Sequence, residues 1–170
     1  LSEGLLVNEI EGDIVNPDQL SVSLTGTYGN GFAIRSNLIS VKGDTYMTNP
    51  LTGQWQPMPS NISTLGFLNP ISGINAIMIN LSQANLLKQT DSQNTLYRLE
   101  GALPTKVVSP LFGPTIEDAT VQVEIVIDAK NLYLLEAKFS GRVTSTDVDD
   151  TERSIIISAF NEPIEIKSPL

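Results

Sequence analysis

A chain of 170 residues that is 41% hydrophobic and 17% charged is long enough to bury one sizeable core and too apolar to be a disordered tail. With 10 Lys and Arg against 19 Asp and Glu, its net charge of −9 opposes phosphate backbones and argues against a nucleic-acid partner. It contains no His and no Cys, which excludes Ser-His-Asp and Cys-His hydrolysis and removes the usual donors for zinc or copper.

Most of the chain alternates apolar and polar residues with period 2 between turn residues, the pattern of antiparallel strands. Leu6, Ile10 and Ile14 share one parity, Leu20, Val22 and Leu24 another run of it, and Asn16-Pro17-Asp18 predicts the turn between them. Gly29-Asn30-Gly31 predicts a hairpin, because both residue types accept positive φ. Phe32 and Ile34 continue one face until Leu38-Ile39 changes phase, which predicts a bulge or bend. Gly43-Asp44 then turns the chain into a strand at Tyr46-Met47-Thr48. Pro50, Pro57, Pro59 and Pro70 interrupt the middle third, where a short helical turn is expected over 60–68.

After Pro70 the spacing becomes helical. Asn69 offers an N-cap, Pro70 fits the first helical position, and Ile74, Ile77, Met78 and Leu81 recur on one face, predicting a helix over 70–82. A strand is expected over 95–102 and a second short helix over 104–112. Val121, Val123, Ile125 and Ile127 alternate, Asp128-Ala129-Lys130-Asn131 turns, and Tyr133, Leu135, Ala137 and Phe139 return on one parity. Ile155, Ile157 and Ala159 add a third strand to this meander. No run approaches the roughly 18 to 20 apolar residues of a membrane-spanning helix. The chain opens at Leu1 with neither the charged n-region nor the h-region of a signal segment, so it reads as mature or truncated.

Few side chains suggest chemistry. Asp147, Asp149, Asp150 and Glu152 offer oxygen ligands for Ca²⁺, but EF-hand spacing is absent and a solvated hairpin loop accounts for the charges equally well. Glu9, Glu11 and Asp13 alternate along one strand, as a water-facing side does; a paired-carboxylate hydrolase would need two of them in one cleft. Asn61-Ile62-Ser63 and Asn80-Leu81-Ser82 match the glycosylation acceptor pattern, a short match that arises by chance. The apolar surplus around the middle third, including Trp55, Leu65, Phe67, Leu86 and Leu87, fits either a solid core or the lining of an apolar pocket. Periodicity does not choose between them.

The segment Tyr46-Met47-Thr48-Asn49-Pro50-Leu51-Thr52-Gly53-Gln54-Trp55-Gln56 resembles the LppX/LprAFG lipoproteins of actinobacterial and related cell envelopes. So do Gly12-Asp13-Ile14-Val15 with Pro17-Asp18 and Leu20, Asn69-Pro70 with Gly73-Ile74, Leu99-Glu100-Gly101-Ala102-Leu103-Pro104, and Ser158-Ala159-Phe160-Asn161-Glu162-Pro163-Ile164. These matches run in order over nearly all of the chain. The resemblance implies an α+β fold: a curved antiparallel half-barrel sheet with helices covering the concave face and an apolar cavity between them. It also implies a single lipid-binding lipoprotein domain over 1–170, lacking the N-terminal helix and first strand that precede this point in the family. An exported protein, lipid-anchored at the membrane or envelope, is the corresponding localisation.

On that reading the function is non-catalytic binding and carriage of acylated lipids or glycolipids, with no enzyme activity, cofactor, metal or nucleic acid. The partners are the lipid and a membrane surface reached through an anchor absent from this chain. The lining expected from strands is Val22, Leu24, Ile34, Tyr97, Leu99, Val123, Ile125, Leu135 and Phe139, and from helices Leu68, Ile74, Ile77, Met78, Leu81, Val107, Leu111 and Phe112. Inward parity is taken from apolarity, and a slip of one residue reverses a strand. The alternative is a structural or protein-interaction envelope module without a lipid cavity.

Overall fold

The computed structural model describes residues 5–15, 19–29, 31–58, 70–90 and 95–170. The expected turn at 16–18, the expected helical turn at 60–68 and the candidate Leu68 lie outside these residues. The chain divides into two compact units, Leu1–Thr64 with Glu162–Leu170, and Leu65–Asn161.

The first unit is built on an antiparallel meander of β1 (Leu5–Val15), β2 (Gln19–Tyr28), β3 (Phe32–Val41), β4 (Asp44–Thr48) and β5 (Trp55–Pro57), neighbours in that order. One face joins Ile10, Gly12 and Ile14 to Leu24, Val22 and Leu20, and these in turn to Ser36, Leu38 and Ser40. Leu20 and Val22 are buried on it. The other parity of β1 carries Glu9, Glu11 and Asp13, all exposed, opposite Thr25, Ser23 and Ser21.

The phase change expected at Leu38-Ile39 is not a bulge, because β2 and β3 stay in register from Leu20↔Ser40 to Tyr28↔Phe32. The inward face simply continues through serines. Ser36 is buried, and its hydroxyl donates to the Thr48 carbonyl at 2.8 Å while the Asn37 N–H donates to the Thr48 hydroxyl at 2.8 Å. The irregularity falls instead in β1, where pairing moves from Val7↔Gly26 to Glu9↔Thr25 and leaves Asn8 as the extra residue. That bulge takes Leu6 off the parity of Ile10 and Ile14; all three are exposed, Leu6 at 55%.

The second unit begins with α1 (Pro70–Asn80), whose first residue is the proline that sequence placed there. Next come β6 (Ser82–Thr90), β7 (Thr95–Pro104), a 3₁₀ turn (Thr105–Val108), α2 (Ser109–Phe112), β8 (Thr120–Asp128), β9 (Leu134–Ser140) and β10 (Glu152–Ile156). The strands form a second antiparallel sheet in the order β10-β9-β8-β7-β6. The turn expected after Ile127 is held by the Asp128 carboxylate, which accepts the N–H groups of Lys130 and Asn131 at 2.7 and 3.2 Å.

Two five-stranded sheets thus stand where the sequence led us to expect one. Among the described residues, β5 is three residues long and pairs with β4, and the next strand, β6, follows α1 and pairs with β7. Strand β6 was not expected, since Ser82-Gln83-Ala84-Asn85 shows no alternation; Gln83 adopts φ 54° and the register with β7 shifts between Ser82 and Asn85. Strand β10 includes Ile155 of the expected run but ends at Ile156, short of Ile157 and of Ala159, which adopts φ 54°. Among the described residues no helix is long and apolar enough to cross a membrane.

Candidate functional site

The apolar candidates concentrate on one face of the second unit's sheet. Across the strands, Leu86, Leu99, Ile125, Ala137 and Ile155 form one row, and Gly101, Val123, Phe139 and Arg153 the next. Over this face lie α1, the 3₁₀ turn and α2. The cluster includes Ile77, Val108, Leu111, Val123, Ile125 and Phe139, all buried, with Ile74, Leu81, Tyr97, Leu99, Val107 and Phe112 packed against it.

Two glycines set how closely the helical layer approaches. A Cβ on Gly73 would stand 2.4 Å from Leu111 Cγ, so α1 rests directly on α2 at that point. A Cβ on Gly101 would stand 2.8 Å from Leu81 Cδ1, so Leu81, which follows α1 and is not part of the helix expected over 70–82, settles onto bare backbone of β7. The layer is dry at its centre, where Ile77 is 0% and Phe139 1% exposed. Towards the β6 edge it opens, and Leu86 is 59% exposed.

Of the expected lining, Ile74, Ile77, Leu81, Tyr97, Leu99, Val107, Leu111, Phe112, Val123, Ile125 and Phe139 meet in this one cluster. Val22, Leu24 and Ile34 belong to the first unit's sheet, on a single face, with Val22 buried and the other two half-buried. Met78 lies outside the cluster and is 42% exposed. Leu135 also lies outside it, because β9 bulges there: pairing steps from Val126↔Glu136 to Ile127↔Leu134, so Leu134 takes the inward place that strict alternation assigned to Leu135. The cluster further contains Leu103, Val121, Ile127 and Val143. The first three share the parity of their neighbours and were legible; Val143 follows Arg142 in a loop and carries no periodic signal.

The acidic loop behaves differently from an open cation site. Asp147 is turned inward, its side chain 3% exposed, and Arg153 grips it with two hydrogen bonds of 2.6 and 2.7 Å. The same carboxylate accepts the N–H groups of Val143 and Thr144 at 2.8 Å each and the Thr144 hydroxyl at 2.7 Å. Burial alone would raise its pKa, but the Arg153 guanidinium and the Thr144 and Val143 donors outweigh burial and hold the carboxyl far below its ordinary value of 3.8. Asp149, Asp150 and Glu152 stay exposed. Arg153 also lies over the Phe112 ring, 5.3 Å from its centroid, and Phe112 meets Phe139 edge to face at 5.2 Å. The ion pair therefore closes the β10 side of the apolar layer.

This arrangement can bury apolar surface, and its charged groups are committed to one another. A family model described as LppX_LprAFG lipoprotein matches residues 1–166. Among solved structures, the crystal structure of LprF from Mycobacterium bovis aligns with a TM-score of 0.71 at 13% sequence identity, covering 98% of this chain and 83% of that one, a likeness of fold. No curated protein matches the sequence. With two antiparallel sheets, few helices and a family match over nearly its whole length, the chain belongs to the LppX/LprAFG lipoprotein family.

Proposed function

We propose that this chain acts as a single lipid-binding lipoprotein domain that carries acylated lipids or glycolipids in the cell envelope without catalysis. The acyl chains would lie in an apolar cavity between the helices and the concave face of a curved, half-barrel sheet, and the protein would work outside the cytoplasm, lipid-anchored at the membrane. The observation that supports this reading most is the continuous apolar layer running from fully buried Ile77 and Phe139 to exposed Leu86. Affinity would come from removing methylenes from water, at about 0.8 kcal/mol each.

A second reading, a structural or protein-interaction module, draws on the tight seating of Gly73 against Leu111, which a solid core also shows. Mass spectrometry of an organic extract of the purified protein separates the two. A stoichiometric acylated species, absent from an unrelated folded control, is the expected outcome. An empty extract from protein that also fails to take up added lipid would favour the structural module. Ile77→Asp is expected to abolish retention, because an unpaired carboxylate in the dry centre of the layer is costly. A folded Ile77→Asp variant that still holds lipid would place the lipid elsewhere.

A further inference from the structure

Charge is distributed unevenly along this acidic chain. No Asp, Glu, Lys or Arg occurs over 19–34 or over 45–87, although the chain as a whole is 17% charged. In the meander of the first unit successive turns alternate between the two ends of the sheet. The β2–β3 and β4–β5 turns therefore lie at one end, and both fall within the charge-free stretches. The β3–β4 turn, with Lys42, Gly43 and Asp44, lies at the other end.

The end that carries these two uncharged turns exposes large apolar side chains. Tyr28 and Phe32 form a cross-strand pair beside the turn, 48% and 70% exposed, and Leu51 in the β4–β5 turn is 83% exposed. Leu6, 55% exposed, sits across from Thr27 on β1 at the same end. The β2–β3 hairpin also runs past the end of β4, whose pairing with β3 stops at Leu38↔Met47. Trp55, the one tryptophan of the chain, opens β5 next to the Leu51 turn and is half-buried.

We propose that this end of the sheet is a membrane-contact surface that seats Tyr28, Phe32 and Leu51 in the interfacial layer of an uncharged bilayer. Aromatic rings and leucine flanked by uncharged polar backbone suit the headgroup boundary, where amphipathic rings collect. The charge pattern selects the occupant. A chain of net charge −9 is repelled by anionic surfaces, and these two turns, which carry no charged side chain, can approach a zwitterionic one without desolvating an ion of their own. The proposal stands independently of lipid carriage, because it concerns where the protein touches a membrane and not what it holds.

The test is flotation of the full chain with phosphatidylcholine vesicles, read together with quenching of Trp55 by brominated phosphatidylcholine. The full chain is expected to float with the vesicles, with Trp55 emission quenched and shifted to the blue. Phosphatidylglycerol vesicles should bind it less at low salt, the difference closing as salt screens the repulsion. Phe32→Ser with Leu51→Ser should lower the partition coefficient roughly tenfold or more. Phe32→Trp should preserve or strengthen it, and Leu132→Ser, at an equally exposed leucine of the other unit, should leave it unchanged. A chain that stays with the buffer, or a Phe32/Leu51 double variant that floats as well as the parent, overturns the proposal. So does a sedimentation result in which the parent dimerises and the double variant does not, since the occupant is then a second copy.

Discussion

Asp147 illustrates how one residue can hold a loop and close a core at once. Its carboxylate satisfies two backbone N–H groups, a hydroxyl and a guanidinium, while that guanidinium covers Phe112 at the margin of the apolar layer. Because its folded-state pKa is depressed, its contribution is complete above the ordinary carboxylate range and is lost as pH falls below about 4. Chemical denaturation across pH should show stability declining through that window. Asp147→Asn should flatten the decline and lower stability at pH 7 by about 2–3 kcal/mol, since Arg153 is left without its anionic partner. A variant that keeps the full acid dependence would assign it to other carboxylates. Asp149 and Asp150, a few positions away and exposed, should give substitutions within about 0.5 kcal/mol of neutral.

At the scale of elements, the contact between α1 and α2 sets how the helical layer sits on the sheet. Gly73→Ala would gain about 1 kcal/mol of helix propensity, yet the new methyl would meet Leu111 at 2.4 Å inside a packed region, which costs about 1–3 kcal/mol. Overpacking should prevail, and the single variant should be less stable. Leu111→Ala removes the obstacle at a cost of about 2–5 kcal/mol, and in that background Gly73→Ala should become neutral or stabilising. A double-mutant cycle that shows no coupling would mean the two elements do not meet as described. At β1 the constraint is backbone on backbone: a Cβ on Gly12 would stand 2.0 Å from the Ser21 carbonyl oxygen. Gly12→Ala should therefore loosen the β1 edge, read as lost amide-exchange protection in β1 while β7 and β8 keep theirs. The bulges in β1 and β9 act at this scale too, since each takes one leucine off the parity of its neighbours, Leu6 in β1 and Leu135 in β9.

For the whole molecule, carriage driven by apolar burial makes a quantitative forecast. In a homologous series of neutral acylated probes, affinity should rise roughly fourfold per added methylene until the chain outgrows its site. It should change little between low and high salt, because no ion pair with the probe is involved. A steep salt dependence, or no dependence on chain length, would point to headgroup recognition in place of acyl burial. The amino-acid sequence by itself determined most of the strands, the helix beginning at Pro70, the face carrying Glu9, Glu11 and Asp13, and the membership of the apolar cluster around Val123, Ile125 and Phe139. All of these depend on periodicity and turn chemistry within a few residues. Tertiary structure decided the rest. An extra residue in a strand, Asn8 or Leu135, reverses parity without any local signature, because a bulge exists only relative to the partner strand. Strand β6 forms because β7 offers an edge, despite a sequence that does not alternate. The acidic loop became a buried ion pair because β10 brings Arg153 under Asp147, a meeting of side chains that composition and spacing do not encode.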